Sequence, residues 1–440
     1  MGKRFLSYDL NRSYLIDTLS LFYGIGSWIA MTGLWVELPV LTPKLPEGWS
    51  LASRLALVLQ FANVSCIIYG IGKKYWPRYF NEVTGTHAQM LIGALSCILL
   101  IPFWHMTVYN HSISLFILSF GLAIVDCASS IVFVPYMARF PSIYMTPYLI
   151  GEGISGFLPS IVALIQDVEE LKCINVTSVR NNQTIIEPKL FIEEPRFPPE
   201  VFFAILLAMV MLSWISFCLL NYLPVCKSKM ILSKTELKTC DDFKENFELD
   251  EAEELRSQKV NTIKHEECSI SKSLYIYLLF LEALASLTTF GIFPAIQPYS
   301  CLPYGTQEYH LSVTLSGLAY PLSCLLALFV ETKSITKISI LSAISTVISI
   351  YLLTTAIMSP LPPLVNTNSG SIIIVCSWVL FIGIFSYVKT MIALLMRNGG
   401  NNALFWYGAV TQIGAAVGAV LMFLLVNVAN VFQDEENCAI

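Results

Sequence analysis

The sequence predicts an all-α polytopic membrane protein with eleven transmembrane helices, arranged as two bundles of six and five. The chain is 55% hydrophobic and only 13% charged, whereas soluble domains carry roughly 25% charged residues. Its apolar residues are gathered in runs of about 20 residues, which is the length that crosses the hydrocarbon layer as a helix. One strongly charged segment, 225–272, separates the first six runs from the last five.

The apolar runs follow one another through short connections, apart from longer ones at 167–199 and 225–272. The predicted spans are 14–38, 51–71, 86–106, 113–136, 144–166, 200–223, 273–294, 310–330, 336–358, 370–394 and 402–428. The first run follows Arg12 and lacks a small-residue cleavage site after it, so we expect it to remain in the mature protein. The expected domains are a six-helix bundle over 1–224, a charged linker over 225–272 and a five-helix bundle with a tail over 273–440.

The distribution of basic residues indicates how the helices are oriented. With the N-terminus in the cytosol, 19 of the 26 Lys and Arg residues fall on the cytosolic side and 6 fall outside, with Lys389 inside a span. Cytosolic loops of membrane proteins carry such an excess. Two glycosylation acceptors, Asn175-Val-Thr and Asn182-Gln-Thr, agree because both lie in the 167–199 loop that this orientation places outside. We therefore expect a cytosolic N-terminus, a cytosolic linker and an extracellular C-terminus.

The segment 26–51 places an acidic residue and two tryptophans beside a predicted membrane boundary. A charge in a spanning helix needs a partner, a water-filled cavity or a function, so Glu37 is a candidate functional residue. Trp35 and Trp49 are expected to anchor at the headgroup layer. Glu37 either binds a solute at the outer mouth or braces the loop through Trp49, and we favour bracing.

The twelve cysteines are not arranged as a disulfide framework. Most fall in apolar spans, where cysteine behaves as a small hydrophobe, or in the cytosolic linker, where it stays reduced. On the predicted outer side are Cys173, Cys301 and Cys438. We hypothesise a Cys301–Cys438 disulfide that ties the C-terminal tail to the 294–310 loop.

Four ionisable residues lie inside predicted spans: Asp126, Glu152, Glu282 and Lys389. Such residues usually face the interior of a bundle and mark a substrate or proton path. Because burial disfavours the charged form of a carboxylate, Asp126 and Glu152 are candidates for pH-sensitive gating. Glu282 and Lys389 either belong to the same path or form a structural pair, with Lys389 reaching towards the inner interface.

Uncharged polar residues and aromatic rings are interspersed in the same spans. The polar residues are Thr32, Gln60, Asn63, Ser129, Ser130, Thr289, Gln297, Thr411 and Gln412, and the aromatic ones are Trp28, Tyr136, Tyr320, Tyr387 and Trp406. A polar, flat, aromatic solute requires such a lining, because rings stack on it while amides and hydroxyls bind its edge. Single Ser and Thr residues in membrane helices often bond their own backbone, so only the whole set indicates a solute site.

Motifs for catalysis or metal binding have little support. The run Gly151-Glu-Gly-Ile-Ser-Gly156 matches GxGxxG but lies inside a predicted span, so close helix packing is the better interpretation, as it is for Gly414–Gly418. The run His265-Glu-Glu-Cys268 supplies two possible ligands, whereas a structural zinc site needs four. We expect no enzymatic activity, no cofactor and no metal.

Long motifs in both halves carry more information than the composition does. They are GSWIAMTGLWVELPVL and LPEGWSL within 26–51, IGEGISGFLPSIVALIQ at 150–166, FPAIQPYSCLPYG at 293–305, YHLSV at 309–313, SYVKT at 386–390 and ALFWYGAVTQIGAAVGAVLMF at 403–423. In this order they resemble the animal riboflavin transporters, solute carrier family 52. The resemblance covers nearly all of the chain outside 167–199 and 225–272.

The resemblance implies eleven helices in a six-plus-five arrangement, similar to equilibrative nucleoside transporters and to the major facilitator fold. It also implies sodium-independent, often pH-sensitive uptake of riboflavin across the plasma membrane. The residues that match the family motifs are Trp28, Glu37, Glu47, Gln297, Tyr387 and Lys389.

We therefore expect a plasma-membrane riboflavin importer that works by alternating access, with the lipid bilayer around it and no nucleic-acid partner. The expected substrate-binding residues are Trp28, Thr32, Gln60, Asn63, Ser130, Tyr387 and Gln412. The expected gating and pH-sensing residues are Asp126, Glu152, Glu282 and Lys389, and those at the mouth are Glu37, Glu47 and Gln297. The alternatives are a transporter of another polar aromatic solute, such as a nucleoside, and a membrane receptor that transports nothing.

Overall fold

The computed structural model describes residues 12–168, 171–180, 183–192, 195–230, 271–330, 334–397 and 400–434. Within these ranges most of the chain is helical, and ten helices are long and apolar enough to cross a membrane. A bent pair of helices near the N-terminus, Tyr14–Ile25 with Ile29–Lys44, is the eleventh candidate. The predicted all-α membrane class is confirmed, whereas the division into bundles of six and five spans stays a prediction.

The helices are labelled in chain order. In the N-terminal half (12–230) they are α1 (Tyr14–Ile25), α2 (Ile29–Leu41), α3 (Leu51–Ala62), α4 (Val64–Tyr75), α5 (Glu82–Phe103), α6 (Ile113–Met137), α7 (Met145–Gln166) and α8 (Pro199–Tyr222). In the C-terminal half (271–434) they are α9 (Lys272–Ser286), α10 (Phe293–Cys301), α11 (Thr306–Phe329), α12 (Ile335–Ile357), α13 (Asn368–Arg397) and α14 (Gly400–Asn427). Helices α3 and α4 together form one candidate span, and α9 and α10 form another.

The first predicted span, 14–38, is two helices that meet at an angle of 47°. The carbonyl of Tyr23 accepts a hydrogen bond from the Ser213 hydroxyl (2.9 Å), and the carbonyl of Gly24 accepts one from the Ser27 hydroxyl (2.7 Å). Hydroxyls that bond to backbone carbonyls compete with the hydrogen bonds of the helix and favour kinks. Because Ser213 belongs to α8, the hydropathy of the first run cannot reveal its bond to Tyr23. The break places Trp28 immediately before α2.

In the C-terminal half, α9 and α10 are joined by a π-helical segment, Leu287–Ile292. Gly418 of α14 packs directly on this segment, since a Cβ atom there would lie 2.5 Å from the carbonyl oxygen of Leu287. The small residues of α14 therefore allow the close helix contact that the sequence predicted. Single π-helical turns are frequent at functional sites, and this one contributes Thr289 and Phe290 to the central cavity.

Two antiparallel strands, β1 (Leu171–Arg180) and β2 (Gln183–Ile192), form a hairpin where the sequence predicted a loop. Both strands are rich in Ile, Val and Thr, which favour extended backbone, but the length of an apolar run does not reveal a short strand pair. The predicted glycosylation site Asn175 lies in β1, and Asn182 lies outside the described residues.

Two predictions concern segments that are only partly described. In the predicted linker, residues 225–230 are helical, while 231–270, which include His265 and Cys268, lie outside the described residues. Cys301 is buried at the end of α10. Cys438 lies outside the described residues, so the Cys301–Cys438 disulfide stays a prediction.

Candidate solute-binding site

A cavity of ≈ 440 Å³ lies between the two halves of the chain. The N-terminal half contributes residues of α2, α3, α6 and α7, and the C-terminal half contributes the π-helical segment, α10, α11, α13 and α14. Ligand pockets in proteins measure about 300–1,000 Å³. The cavity is therefore large enough for a small organic solute, and its walls come from both halves.

Aromatic rings form much of the cavity wall, and they come from both halves. These rings are Trp28, Trp35, Phe290, Phe293, Tyr320 and Trp378. The Trp28 and Tyr320 rings join the halves, with centroids 6.3 Å apart and planes at 62°. Tyr320 also meets Phe290 at 6.5 Å. Rings in such edge-to-face contact are mutually supported and present flat surfaces on which a flat solute can stack.

Polar groups face the same cavity from the N-terminal half. Asp126 and Ser130 lie one helical turn apart on α6 and both line it. Among the described residues, none donates a hydrogen bond to the Asp126 carboxylate, which is therefore available to a donor of the solute. Gln60 and Asn63 lie where α3 meets α4, and the Asn63 amide donates to the Gln60 carbonyl oxygen at 3.1 Å.

The structure brings most of the sequence-predicted residues to this cavity. From the substrate-binding set, the cavity is lined by Trp28, Thr32, Gln60, Asn63, Ser130 and Gln412. From the other two sets, Asp126 and Gln297 also line it. These residues come from five helical segments that are far apart in sequence. The folded structure brings them together, as the prediction of a common site requires.

Tyr387 does not line the cavity. Its hydroxyl donates a hydrogen bond of 2.6 Å to the carbonyl oxygen of Val330, at the end of α11. The bond fastens α13 to α11 at a point exposed on the surface. Tyr387 therefore joins two helices in this structure, and its contact with a solute stays a prediction.

Glu282 and Lys389 form a buried ion pair directly behind the cavity wall. The Lys389 Nζ atom lies 3.5 Å from Glu282 Oε1, and the two side chains are 10% and 0% exposed. Lys389 also lies over the ring of Phe290, 3.9 Å from its centroid. Thr411, which lines the cavity, donates to Glu282 Oε1 at 2.8 Å. Lys389 thus points into the protein rather than towards the interface, and the pair supports two groups of the wall.

Glu152 lies on α7 outside the cavity lining. It is partly buried, and its carboxylate is close enough to the hydroxyls of Tyr148 and Tyr320 to interact with them electrostatically. Tyr320 belongs to the cavity wall, so Glu152 interacts with a residue of that wall without lining it.

The two acidic residues predicted at the mouth are buried and bonded within the N-terminal half. Glu37 is fully buried on α2 and accepts a hydrogen bond from the Gln166 amide at 2.9 Å. Glu47 accepts hydrogen bonds from the backbone amide (2.7 Å) and the hydroxyl (2.5 Å) of Ser112. Neither lines the cavity. The bracing interpretation of Glu37 agrees with this geometry, but the brace reaches α7 through Gln166 rather than the loop through Trp49.

The two halves also contact each other outside the cavity lining, near Trp49. The Trp49 ring meets the Tyr299 ring edge-on, with centroids 5.6 Å apart. Arg54 Nε donates to Asn427 Oδ1 at 3.0 Å, and Asn427 Nδ2 donates to Ser53 Oγ at 2.8 Å. These bonds join the start of α3 to the end of α14. They tie the two halves together at this end.

Several lining residues were not singled out from the sequence as part of a site. They are Met31, Phe290, Phe293, Ser316, Gly317, Trp378 and Ile382. Met31 and Phe293 lie within the motifs at 26–51 and 293–305, but nothing in the sequence marks any of these residues as part of a site. Trp35 was predicted to anchor at the headgroup layer, but it lines the cavity instead. The local sequence does not distinguish a tryptophan that anchors at the headgroup layer from one that lines a cavity. The rotation of α2 about its axis determines which of the two Trp35 is.

Comparisons with known proteins identify the family. The family described as "Solute carrier family 52, riboflavin transporter" matches residues 12–434. A Danio rerio relative, named riboflavin transporter member 3-A of that family, is 37% identical over 96% of this chain and 98% of its own. The Homo sapiens members 3 and 1 are 34% and 35% identical, and each match covers at least 97% of both chains.

Solved structures of transporters share the fold at low sequence identity. A D-xylose–proton symporter superposes with a TM-score of 0.53 at 11% identity, covering 94% of this chain and 91% of that one. A transporter of the POT family gives the same TM-score, identity and coverage. The architecture is therefore major-facilitator-like. Given this fold and a family match along the described length, the chain belongs to solute carrier family 52, the riboflavin transporter family, and is a multi-pass membrane solute carrier rather than an enzyme.

Proposed function

We propose that this protein transports riboflavin across the plasma membrane and binds it in the central cavity. The observation that carries the proposal is the lining, in which aromatic rings from both halves face carboxylate, amide and hydroxyl groups within one cavity. Riboflavin combines a flat heteroaromatic ring with a hydroxylated chain, so its two parts match these two kinds of surface. The names of relatives 34–37% identical support riboflavin over other polar aromatic solutes.

In the proposed complex, the isoalloxazine ring stacks on the aromatic surfaces that Trp28 and Tyr320 present. Thr32 lies one turn along α2 from Trp28, on the same face of the helix, and contributes a hydroxyl beside the stacked ring. Asp126 and Ser130 on α6 accept hydrogen bonds from hydroxyls of the ribityl chain. Gln60 and Gln412 supply amides that can donate to the ring oxygens.

The proposed transport is by alternating access, and cavity walls that belong to two halves of the chain support it. With the N-terminus in the cytosol, as the distribution of basic residues indicates, the Trp49 end faces the extracellular side. Opening towards that side then requires the Trp49–Tyr299 contact and the Arg54–Asn427 hydrogen bond to separate. We propose that uptake is independent of sodium, because the resemblance to the riboflavin transporter family implies it.

The most direct functional test is uptake of labelled riboflavin into cells that lack a riboflavin transporter. We expect uptake by the protein, inhibition by unlabelled flavins and little inhibition by nucleosides. Replacing Trp28 by Ala should reduce apparent affinity by about tenfold, because stacking on an aromatic side chain contributes roughly 1–3 kcal/mol. The matched control is Trp76→Ala, since Trp76 is 59% exposed outside the cavity and its loss should leave uptake unchanged.

Two results would overturn the assignment. Absence of riboflavin uptake by protein that reaches the cell surface would contradict the substrate. Stronger inhibition by nucleosides than by flavins would instead favour a nucleoside transporter with the same fold.

Uptake is also proposed to depend on pH, through Asp126 and Glu152. Burial in apolar surroundings disfavours a charged carboxylate, so protonation of either residue would change the charge near the solute. We expect Asp126→Asn and Glu152→Gln to flatten the dependence of riboflavin uptake on pH between about pH 5.5 and about pH 8. If both variants keep the pH profile of the unmodified protein, neither carboxylate is the pH-sensitive group.

A further inference from the structure

Thr411 lines the cavity, and the single hydrogen of its hydroxyl is already committed within the protein. Its Oγ1 atom lies 2.8 Å from Glu282 Oε1 and 2.9 Å from the carbonyl oxygen of Tyr407. Both partners are acceptors, and a hydroxyl has one hydrogen and two lone pairs. Whichever partner receives the hydrogen, Thr411 is left with lone pairs. Towards a solute in the cavity, this residue is therefore a hydrogen-bond acceptor.

The ion pair behind the wall makes Glu282 an acceptor towards Thr411. Lys389 Nζ donates to Ser286 Oγ at 2.9 Å, and Ser286 Oγ donates to Glu282 Oε1 at 2.9 Å. The two hydrogen bonds run in the same direction. The Lys389 ammonium group donates to the Ser286 hydroxyl, which in turn donates to the Glu282 carboxylate. Because Lys389 lies 3.5 Å from Glu282 Oε1, its charge stabilises the anionic carboxylate. The buried pair thus keeps the Thr411 hydrogen turned away from the cavity.

The hydroxyl of Thr289, on the same wall, also has its hydrogen committed to the protein. Thr289 Oγ1 donates to the carbonyl oxygen of Ala285 at 2.7 Å, so its hydrogen is also committed to the protein. Thr289 precedes Phe290, whose ring faces the cavity while Lys389 lies over it. This wall therefore combines an aromatic surface with two hydroxyls, those of Thr411 and Thr289, that can only accept a hydrogen bond from a solute.

We propose that Thr411 is a specificity-determining residue that accepts a hydrogen bond from the ring N3–H group of riboflavin. This inference rests on the proposed function, because it concerns how that solute is bound. N3–H is the only N–H group of riboflavin, and it lies at the edge of the flat ring. The rings of Phe290 and Tyr320 make this wall suitable for the flat ring rather than for the ribityl chain. A solute that carries no donor at that edge leaves Thr411 unpaired and is bound less well.

The test compares two substitutions at Thr411 and two flavins. Thr411→Ser keeps the hydroxyl, whereas Thr411→Ala removes it and leaves room for an additional methyl group. The probes are riboflavin and N3-methylriboflavin, each used to inhibit uptake of labelled riboflavin by cells that express the protein. The ratio of the two inhibition constants is independent of how much of each variant reaches the cell surface.

We expect the unmodified protein and Thr411→Ser to prefer riboflavin over N3-methylriboflavin by about tenfold or more, because sites built to pair a polar group reject analogues that lack it. Thr411→Ala should reduce the preference to about threefold or less. The inference is wrong if Thr411→Ala shows the same ratio of inhibition constants as Thr411→Ser. It is also wrong if the unmodified protein does not discriminate between the two flavins. A protein that takes up no riboflavin at all would count against the proposed function instead.

Discussion

Replacing Lys389 by Met is expected to remove most of the folded, active transporter. The substitution leaves the fully buried Glu282 carboxylate without the ammonium group that lies 3.5 Å away. Removing one partner of a buried ion pair costs about 3–5 kcal/mol, because the remaining charge stays out of water without compensation. It also removes the cation beside the Phe290 ring. We expect a much lower melting temperature in detergent and little uptake of riboflavin.

Two further variants separate the buried charge from a general effect of losing a lysine. The double variant Glu282→Gln with Lys389→Met removes both charges and should recover much of the stability, because replacing a whole buried pair is often neutral. Lys73→Met is the control, since Lys73 pairs with Glu82 at 2.7 Å but is 46% exposed. Exposed pairs contribute about 0–1 kcal/mol, so this control should melt near the unmodified protein. Equal melting temperatures for Lys389→Met and Lys73→Met would contradict the structural role of the pair.

Replacing Gly151 by Ala should also prevent correct packing of the N-terminal half. A Cβ atom at this position would collide with the backbone carbonyl oxygen of Leu21 in α1, and one at Gly24 would collide with the carbonyl oxygen of Tyr148 in α7. Backbone atoms cannot move aside as a flexible side chain can, so α1 and α7 would have to separate. Overpacking of this kind costs about 1–3 kcal/mol or more.

Gly153 provides a matched control two residues away on the same helix. A Cβ atom there would meet nothing within 4 Å. Ala is about 1 kcal/mol more favourable than Gly inside a helix, so Gly153→Ala should be neutral or slightly stabilising. Melting temperatures of the two purified variants test this contrast. If Gly151→Ala melts at or above the temperature of Gly153→Ala, the α1–α7 contact is looser than the structure indicates.

Much of the fold could be predicted because apolar runs have the length of the membrane. The fourth predicted span, 113–136, is helix Ile113–Met137, and the sixth, 200–223, is helix Pro199–Tyr222. The break between α1 and α2 was missed because hydropathy does not detect the hydroxyl–carbonyl bonds there, one from Ser27 and one from Ser213 of α8. The hairpin of β1 and β2 was missed because hydropathy indicates which segments can enter the lipid bilayer. It does not indicate which segments pair as strands.

The candidate site was predictable where a polar residue stands out in an apolar span. Asp126, Gln60 and Gln412 are of this kind, and all line the cavity. Phe290 and Trp378 could not be recognised, because an aromatic residue in an apolar span is usually part of the core. The direction in which a side chain points depends on the rotation of its helix, which a single sequence does not determine.

Partners of buried charges were the least predictable feature. Glu37 is bonded to Gln166 across 129 residues of sequence, and Glu282 is bonded to Thr411 across the same separation. The pairing of Glu282 with Lys389 was one of two alternatives predicted from the sequence, and that ion pair is present. Nothing in the local sequence indicates Gln166 or Thr411 as a further partner. The sequence indicated that these charges need compensation, and only the packing of the helices determines where that compensation lies.

The central claim is that the cavity between the two halves is the riboflavin site. The most direct measurement is an experimental structure of the protein with riboflavin bound. We expect the isoalloxazine ring within the cavity, stacked on Trp28 or Tyr320, with its N3 edge beside Thr411. Riboflavin bound outside this cavity, or with no ring contact to either half, would contradict the claim.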